Sequence, residues 1–154
     1  MLVMKISTKG RYALRLMIEI GRKEEGKLTT LREVAEQQDI SMKYLEQLVG
    51  HLTKAGLIVG HRGIHGGYSL ARAAHDITAG DILRASEGGT APVACLEREA
   101  PACPRRSMCD TIDFWEGLDN VIEGYVDGVT LADLVAQNKK SSDELVDRLL
   151  KPTA

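Results

Sequence analysis

SMKYLEQLVGHLTKAGLIVGHRGIHGGYSLAR, residues 41–72, decides how this chain folds. Ser41 can cap a helix, MKYLEQLVGHLTKAG, in which Leu45, Leu48, Val49 and Leu52 share one face and Gly56 is the terminator. The helical period stops there. LIVGH (57–61) is apolar and β-branched, RGIHGG (62–67) is a glycine-rich turn with a basic start, and YSLAR (68–72) places Tyr68 and Leu70 on one face of a second strand. The spacing therefore predicts a helix followed at once by a β-hairpin.

Upstream, Thr30 with Glu33 three residues on is a capping box that opens LREVAEQQ (31–38), a short helix with Leu31, Val34 and Ala35 inward. Asp39 and Ile40 break its pattern before Ser41 starts the next helix, so the two form a helix-turn-helix and the hairpin behind them is a wing. Before these, Thr8 to Gly21 reads as a helix of about four turns, with Tyr12, Leu16 and Ile20 spaced by four and Ser7 or Thr8 as its cap. Downstream, Thr78 and Asp81 open AGDILRAS, which Gly88 and Gly89 close. Trp115, Leu118, Val121, Ile122, Tyr125 and Val129 trace an apolar stripe over 110–128, wide enough to need a partner, and Thr130 caps TLADLVAQ.

The expected class is mainly α with a small β wing: a winged helix-turn-helix plus a long dimerisation helix. The expected organisation is a DNA-binding domain over 1–90, a cysteine-rich loop over 91–109, the dimerisation helix and a short closing helix over 110–136, and a tail over 137–154, either a docking helix or disordered.

Composition narrows the function. The net charge is −2, but residues 1–72 carry 12 Lys and Arg against 7 Asp and Glu, and residues 73–154 carry 8 against 15. A basic first half joined to an acidic second half points to a polyanion-facing module linked to something else. No apolar run approaches the roughly 20 residues that cross a bilayer, and MLVMKISTKGRYAL lacks the features of a signal peptide, so a cytoplasmic location is expected. No nucleotide-binding loop and no nucleophile with a nearby base stands in the sequence, which argues against an enzyme.

Two sets of residues carry chemistry. At the start of the third helix Ser41, Lys43, Tyr44, Glu46 and Gln47 face outward, where recognition helices meet base edges. Gln47 can read adenine, Ser41 and Tyr44 can hold phosphates, and Lys43 adds salt-dependent attraction. Glu46 either accepts from a cytosine amino group or pairs with Lys43. In the wing, Arg62 is the first candidate for the minor groove, beside Gly63 and His65, and Thr8, Lys9 and Arg11 can touch the backbone. The second set is Cys95, Cys103 and Cys109, all three cysteines of the chain, in CLEREAPACPRRSMC. Three thiols in a Pro-, Arg- and Glu-rich loop of a cytoplasmic protein suit a metal or redox site better than structural disulfides. Spacing alone does not separate zinc from an iron–sulfur cluster. The loop holds no histidine to complete a zinc tetrahedron, which favours [2Fe-2S], while Arg98, Arg105 and Arg106 can offset its charge.

MKISTKGRYAL, YLEQLV, RGIHGGYSLAR, ITAGDIL and TLADLV, in this order over about residues 4–136, resemble the Rrf-type family of bacterial winged-helix transcription regulators. The cysteine triad is similar to that of the family's iron–sulfur-cluster subgroup, whereas the scaffold also resembles its cysteine-metabolism repressors. The resemblance implies a homodimer on a palindromic operator in double-stranded DNA, a repressor whose binding follows iron–sulfur, redox or nitric oxide status. The alternative is a cluster-free repressor controlled by a protein partner or thiol oxidation. In the cluster subgroup the fourth ligand is a histidine three positions beyond the last cysteine or an aspartate from the first helix of the other subunit. Here Ile112 and Arg11 occupy those positions, leaving Glu97, Glu99, Asp110, Asp113, a thiol or water.

Overall fold

Three side-chain oxygens organise the first half. In a computed structural model that describes residues 6–137 and 139–151, Ser7 Oγ accepts from the Lys9 amide and starts α1 (Thr8–Arg22). The Thr30 hydroxyl accepts from the Glu33 amide and the Glu33 carboxylate from the Thr30 amide, a complete capping box that opens α2 (Leu31–Gln38), and Asp39, in the left-handed region at φ 52°, ends it. Ser41 Oγ accepts from the Tyr44 amide to start α3 (Met42–Lys54). Of the faces read from spacing, Leu16 and Ile20 of α1, with Ala13 and Met17 beside them, are buried against Leu45, Leu48, Val49 and Leu52 of α3 and Val34 and Ile40 from α2 and the turn, while Tyr12, Leu31 and Ala35 pack on this cluster half-buried. Burying a Leu or Ile of this kind is worth about 1.5–3 kcal/mol each, so this cluster is the main source of stability.

The wing follows as β1 (Ile58–His61) and β2 (Gly67–Leu70), antiparallel, with Ile58 opposite Leu70 and His61 opposite Gly67. A pairing not visible in the sequence ties it down. Thr29, just before α2, exchanges both backbone bonds with Tyr68, at 2.9 and 2.8 Å, so the wing gains a one-residue third strand from the entrance of the helix-turn-helix.

The second half is built on a repeated cap. Thr78 with Asp81 opens α4 (Ala79–Glu87), and Thr130 with Asp133 opens α6 (Leu131–Ala136), each as a complete capping box. The two Thr residues face one another across an isolated antiparallel bridge, with Ala79 N donating to Val129 O and Leu131 N to Ile77 O. Both helices pack on α1. Between them runs α5 (Ile112–Gly128), none of whose residues is buried. Val129, expected as the last member of the α5 stripe, instead caps that helix and is buried with Ala79 and Leu145 in a small second core. Leu145 belongs to α7 (Lys139–Leu150), so the tail that the sequence left open between docked and unstructured is a helix docked against α5. Asn138 and residues 152–154 of that tail, and Met4 and Lys5 of the N-terminal motif, lie outside the described residues.

Replacing Thr30 with Ala removes the hydroxyl that accepts from Glu33 N and is expected to lower stability by about 1 kcal/mol in urea unfolding, with Ser nearly neutral. The Thr30 amide, and secondarily Lys23, holds the Glu33 carboxyl below its usual range. A depressed folded pKa stabilises above the unfolded value and is lost as pH falls through the folded one. The wild type should therefore lose stability on acidification more steeply than Glu33→Gln.

Candidate nucleic-acid interface and cysteine loop

The first turns of α3 stand out from the body of the protein because the apolar half of the helix is committed to α1. Ser41, Lys43, Glu46 and Gln47 are exposed and Tyr44 is half-buried. Two of these groups already have partners. Ser41 Oγ is the helix cap, and Tyr44 donates its hydroxyl to Thr8 Oγ1 at 3.2 Å while its ring meets Tyr12 edge-on, centroids 5.5 Å apart. Arg15 lies over the other ring, 5.2 Å from the Tyr12 centroid, and its Nε donates to Gln38 Oε1 at 2.8 Å, fixing the end of α2. Gln38 passes the contact on to the buried Glu19 at 2.6 Å. Tyr44 thus joins α3 to α1 before it touches anything else. No ion pair forms between Lys43 and Glu46 among the described residues, so the Glu46 carboxylate faces solvent unneutralised by that lysine.

In the wing, Arg62, Gly63, Ile64 and His65 are all exposed. The turn is possible only with glycine. Gly63 lies at φ 114°, Gly66 N donates to Gly63 O at 3.0 Å, and a Cβ on Gly66 would stand 2.2 Å from the His61 carbonyl. His61, which the sequence offered only as a strand residue, is hydrogen-bonded to Ser69 across the hairpin at 2.9 Å. Ile64 at the tip is 98% exposed, an apolar side chain beside Arg62 that residue-type reasoning passed over because it searched the turn for charge. Lys9 and Arg11, in the first turns of α1, are exposed as well, and the Thr8–Tyr44 bond puts them beside the start of α3. Lys9, Arg11, Lys43 and, on the wing, Arg62 are thus all exposed cations of the first half.

The cysteine loop joins α4 to α5 and contributes nothing to the core: no residue from Thr90 to Asp110 is buried. Cys95 and Cys103 are exposed and Cys109 is half-buried, all as thiols. Among the described residues no three His, Cys, Asp or Glu side chains converge on a common point. Glu97, Glu99, Asp110 and Asp113 therefore do not complete a ligand set here. Three accessible sulfurs on one loop have the donor chemistry of a thiolate-bound metal centre, but gathering them requires the loop to close. Arg106 is also engaged elsewhere, in an ion pair with Glu116 of α5. Cys109 is the distinctive thiol. It lies 3.6 Å from Thr111 Oγ1, and that hydroxyl first, then the Thr111 and Ile112 amides at the start of α5, hold it below the usual thiol range against the opposing charge of Asp110.

A helix-turn-helix whose second helix presents its N-terminal turns to solvent, followed by a glycine-turned hairpin, defines a winged-helix DNA-binding regulator. The family model described as "Rrf2: Iron-dependent Transcriptional regulator" matches residues 6–137. Protein rrf2 of Nitratidesulfovibrio vulgaris is 40% identical, spanning 86% of this chain and 87% of its own length. The transcriptional regulator CymR of Bacillus subtilis is 43% identical over 86% of this chain and 91% of its length. Its solved structure superposes with a TM-score of 0.67, over 89% of this chain and 98% of that one. The structure of T. potens IscR, 35% identical, gives 0.69 over 89% and 90%. The chain belongs to the Rrf2 family of transcriptional regulators.

If Thr111 and the α5 amides lower the Cys109 pKa, the metal-free protein should be alkylated by iodoacetamide fastest at Cys109 near neutral pH, and Thr111→Val should slow that site selectively. Peptide mass mapping at timed quenches reads the order. Equal rates at all three cysteines would exclude this stabilisation of the thiolate.

Proposed function

We propose that the protein is a homodimeric repressor that binds a palindromic operator in double-stranded DNA and takes its input at the cysteine loop, where Cys95, Cys103 and Cys109 would hold a [2Fe-2S] cluster. The observation that carries this reading is the division of the molecule. The DNA-facing residues rest on a well-packed core, while all three thiols hang on a segment with no buried residue, between the wing-bearing half and α5. When bound, the cluster supplies a cross-link of the loop that responds to iron, oxidants or nitric oxide. Lys43 and Gln47 would meet phosphate and base edge, with Ser41, Tyr44 and Glu46 at the same groove, and Arg62 with Gly63 would enter the minor groove at the wing. Two copies would join through α5, where Phe114, Val121 and Tyr125 remain exposed, and Val121 and Tyr125 line a groove with Val146, Leu149 and Leu150 of α7. No described helix is long and apolar enough to cross a membrane.

The second reading, a repressor without a cluster that responds through thiol oxidation or a protein partner, is favoured by the separation of the three sulfurs and by the low-pKa thiol of Cys109. Anaerobic purification decides between the two. A brown protein with visible absorption, iron and sulfide, lost in Cys95→Ala, Cys103→Ala or Cys109→Ala, is the expected result; a colourless protein with reactive thiols supports the second reading.

For the DNA interface, a duplex selected by the protein from a random-sequence library provides the probe. Arg62→Ala should weaken binding to it by about tenfold or more and reduce the slope of log affinity against log salt by about 1. An unchanged titration would remove Arg62 from the interface.

A further inference from the structure

We propose that Glu87 is a positioning residue that fixes the start of α1, and through it Tyr44 and the reading end of α3, and that it is the point where the cysteine loop acts on DNA binding. The proposal rests on the regulator reading above, in which α3 reads the duplex.

Glu87 is the last residue of α4, and Gly88 follows it in the left-handed region at φ 83°, beginning the segment that leads to Cys95. Its carboxylate reaches back across the molecule to the first turn of α1. Oε1 accepts from Ser7 Oγ at 2.6 Å and from the Gly10 amide at 2.8 Å. Ser7 already caps α1 in the ordinary local way, through the Lys9 amide, so Glu87 is a second cap brought from a distant element. An anion is favoured there because the first amides of a helix have no internal partners and carry the positive end of its dipole. The approach also dictates the residue it meets. A Cβ on Gly10 would lie 2.6 Å from Oε1 and 2.7 Å from Ile6 Cγ2, so any larger residue would push the carboxylate off.

Thr8 lies between the two donors that Glu87 holds, and Thr8 Oγ1 receives the Tyr44 hydroxyl. Tyr44 sits in the first turn of α3 between Lys43 and Gln47, its ring against Tyr12. One side of the α1 start is thus held by the root of the cysteine loop and the other by the recognition helix. Hydrogen bonds of this kind fail within a few tenths of an ångström. A loop that closes or opens beyond Gly88 and shifts Glu87 by that much releases Ser7 and Gly10, frees Thr8, and removes the support under Tyr44. The Glu87 carboxylate is hydrogen-bonded to Ser7 and Gly10 and to no cysteine among the described residues, so the route from the loop to α3 runs through these contacts.

The test uses the full chain, a duplex selected by the wild type from a random-sequence library, and poly(dI-dC) as unselected DNA. Glu87→Ala is expected to bind the selected duplex about tenfold more weakly, the scale of one charge-assisted hydrogen bond, with poly(dI-dC) affinity unchanged. Glu87→Gln, whose amide oxygen can accept from the same two donors, should restore most of the loss. Tyr44→Phe removes the hydroxyl held by Thr8, and the double variant Glu87→Ala/Tyr44→Phe should be no weaker than the weaker single variant, because both changes break one chain of contacts. If Glu87→Ala fails to fold, Ser7→Ala replaces it in the same cycle. Additive losses, equal losses on selected and unselected DNA, or no rescue by Gln would each overturn the proposal. Cys103→Ala should change duplex affinity in the wild-type background and not in Glu87→Ala; the same change in both would show that the loop acts by another route. A wild type that enriches no duplex would instead overturn the regulator reading itself.

Discussion

Burial of the leucine face of α3 against α1 is the contact from which the other features follow. Leu45, Leu48 and Leu52 are essentially free of solvent, and they can be so only if Lys43, Glu46 and Gln47 on the opposite face point outward. The exposure of these polar side chains is therefore a by-product of helical periodicity once the apolar face has been committed. The wing depends on the same packing. Leu57 and Ile58 enter the core directly behind α3, which launches the hairpin from a fixed point, and the Thr29–Tyr68 pairing holds its other strand. Losing one of the three leucines, at about 2–5 kcal/mol for truncation to Ala, would loosen the readout surface as well as the fold.

The second half follows a different rule. Its two short helices, α4 and α6, are joined at their starts by Thr-x-x-Asp caps that stand back to back at Thr78 and Thr130. Arg84, with its charge held by Asp127 and Glu123, ties α4 to α5 in the same region. These polar links add to the burial of Ile77, Ile82 and Leu131 in the main core, while α5 keeps Phe114, Val121 and Tyr125 exposed.

Much of this was legible from residue types. The caps at Ser7, Thr30, Ser41, Thr78 and Thr130 were readable because each needs only a local pattern and a side-chain oxygen. The Thr29–Tyr68 and Thr78–Thr130 bridges were not, because each pairs single residues far apart and leaves no periodicity. The second did leave a trace, the repeat of Ile77-Thr78-x-x-Asp81 as Val129-Thr130-x-x-Asp133, which also explains why Val129 is buried instead of extending the α5 stripe. Tyr44 was legible as a surface residue of α3, yet its bond to Thr8 depends on how two helices cross. The cysteines were conspicuous in the sequence, but their mutual distance depends on the path of a loop with no buried residue.

That loop, Thr90 to Asp110, has no residue in the core, and its two ends are held by α4 and α5. Closing a flexible connection costs little more as it lengthens, about 0.6 kcal/mol for each doubling. Its length is therefore only weakly constrained by folding. The rest of the chain behaves as a fixed chassis with a replaceable cartridge, in which the segment between two anchored helices can change without disturbing the packing of α3 on α1.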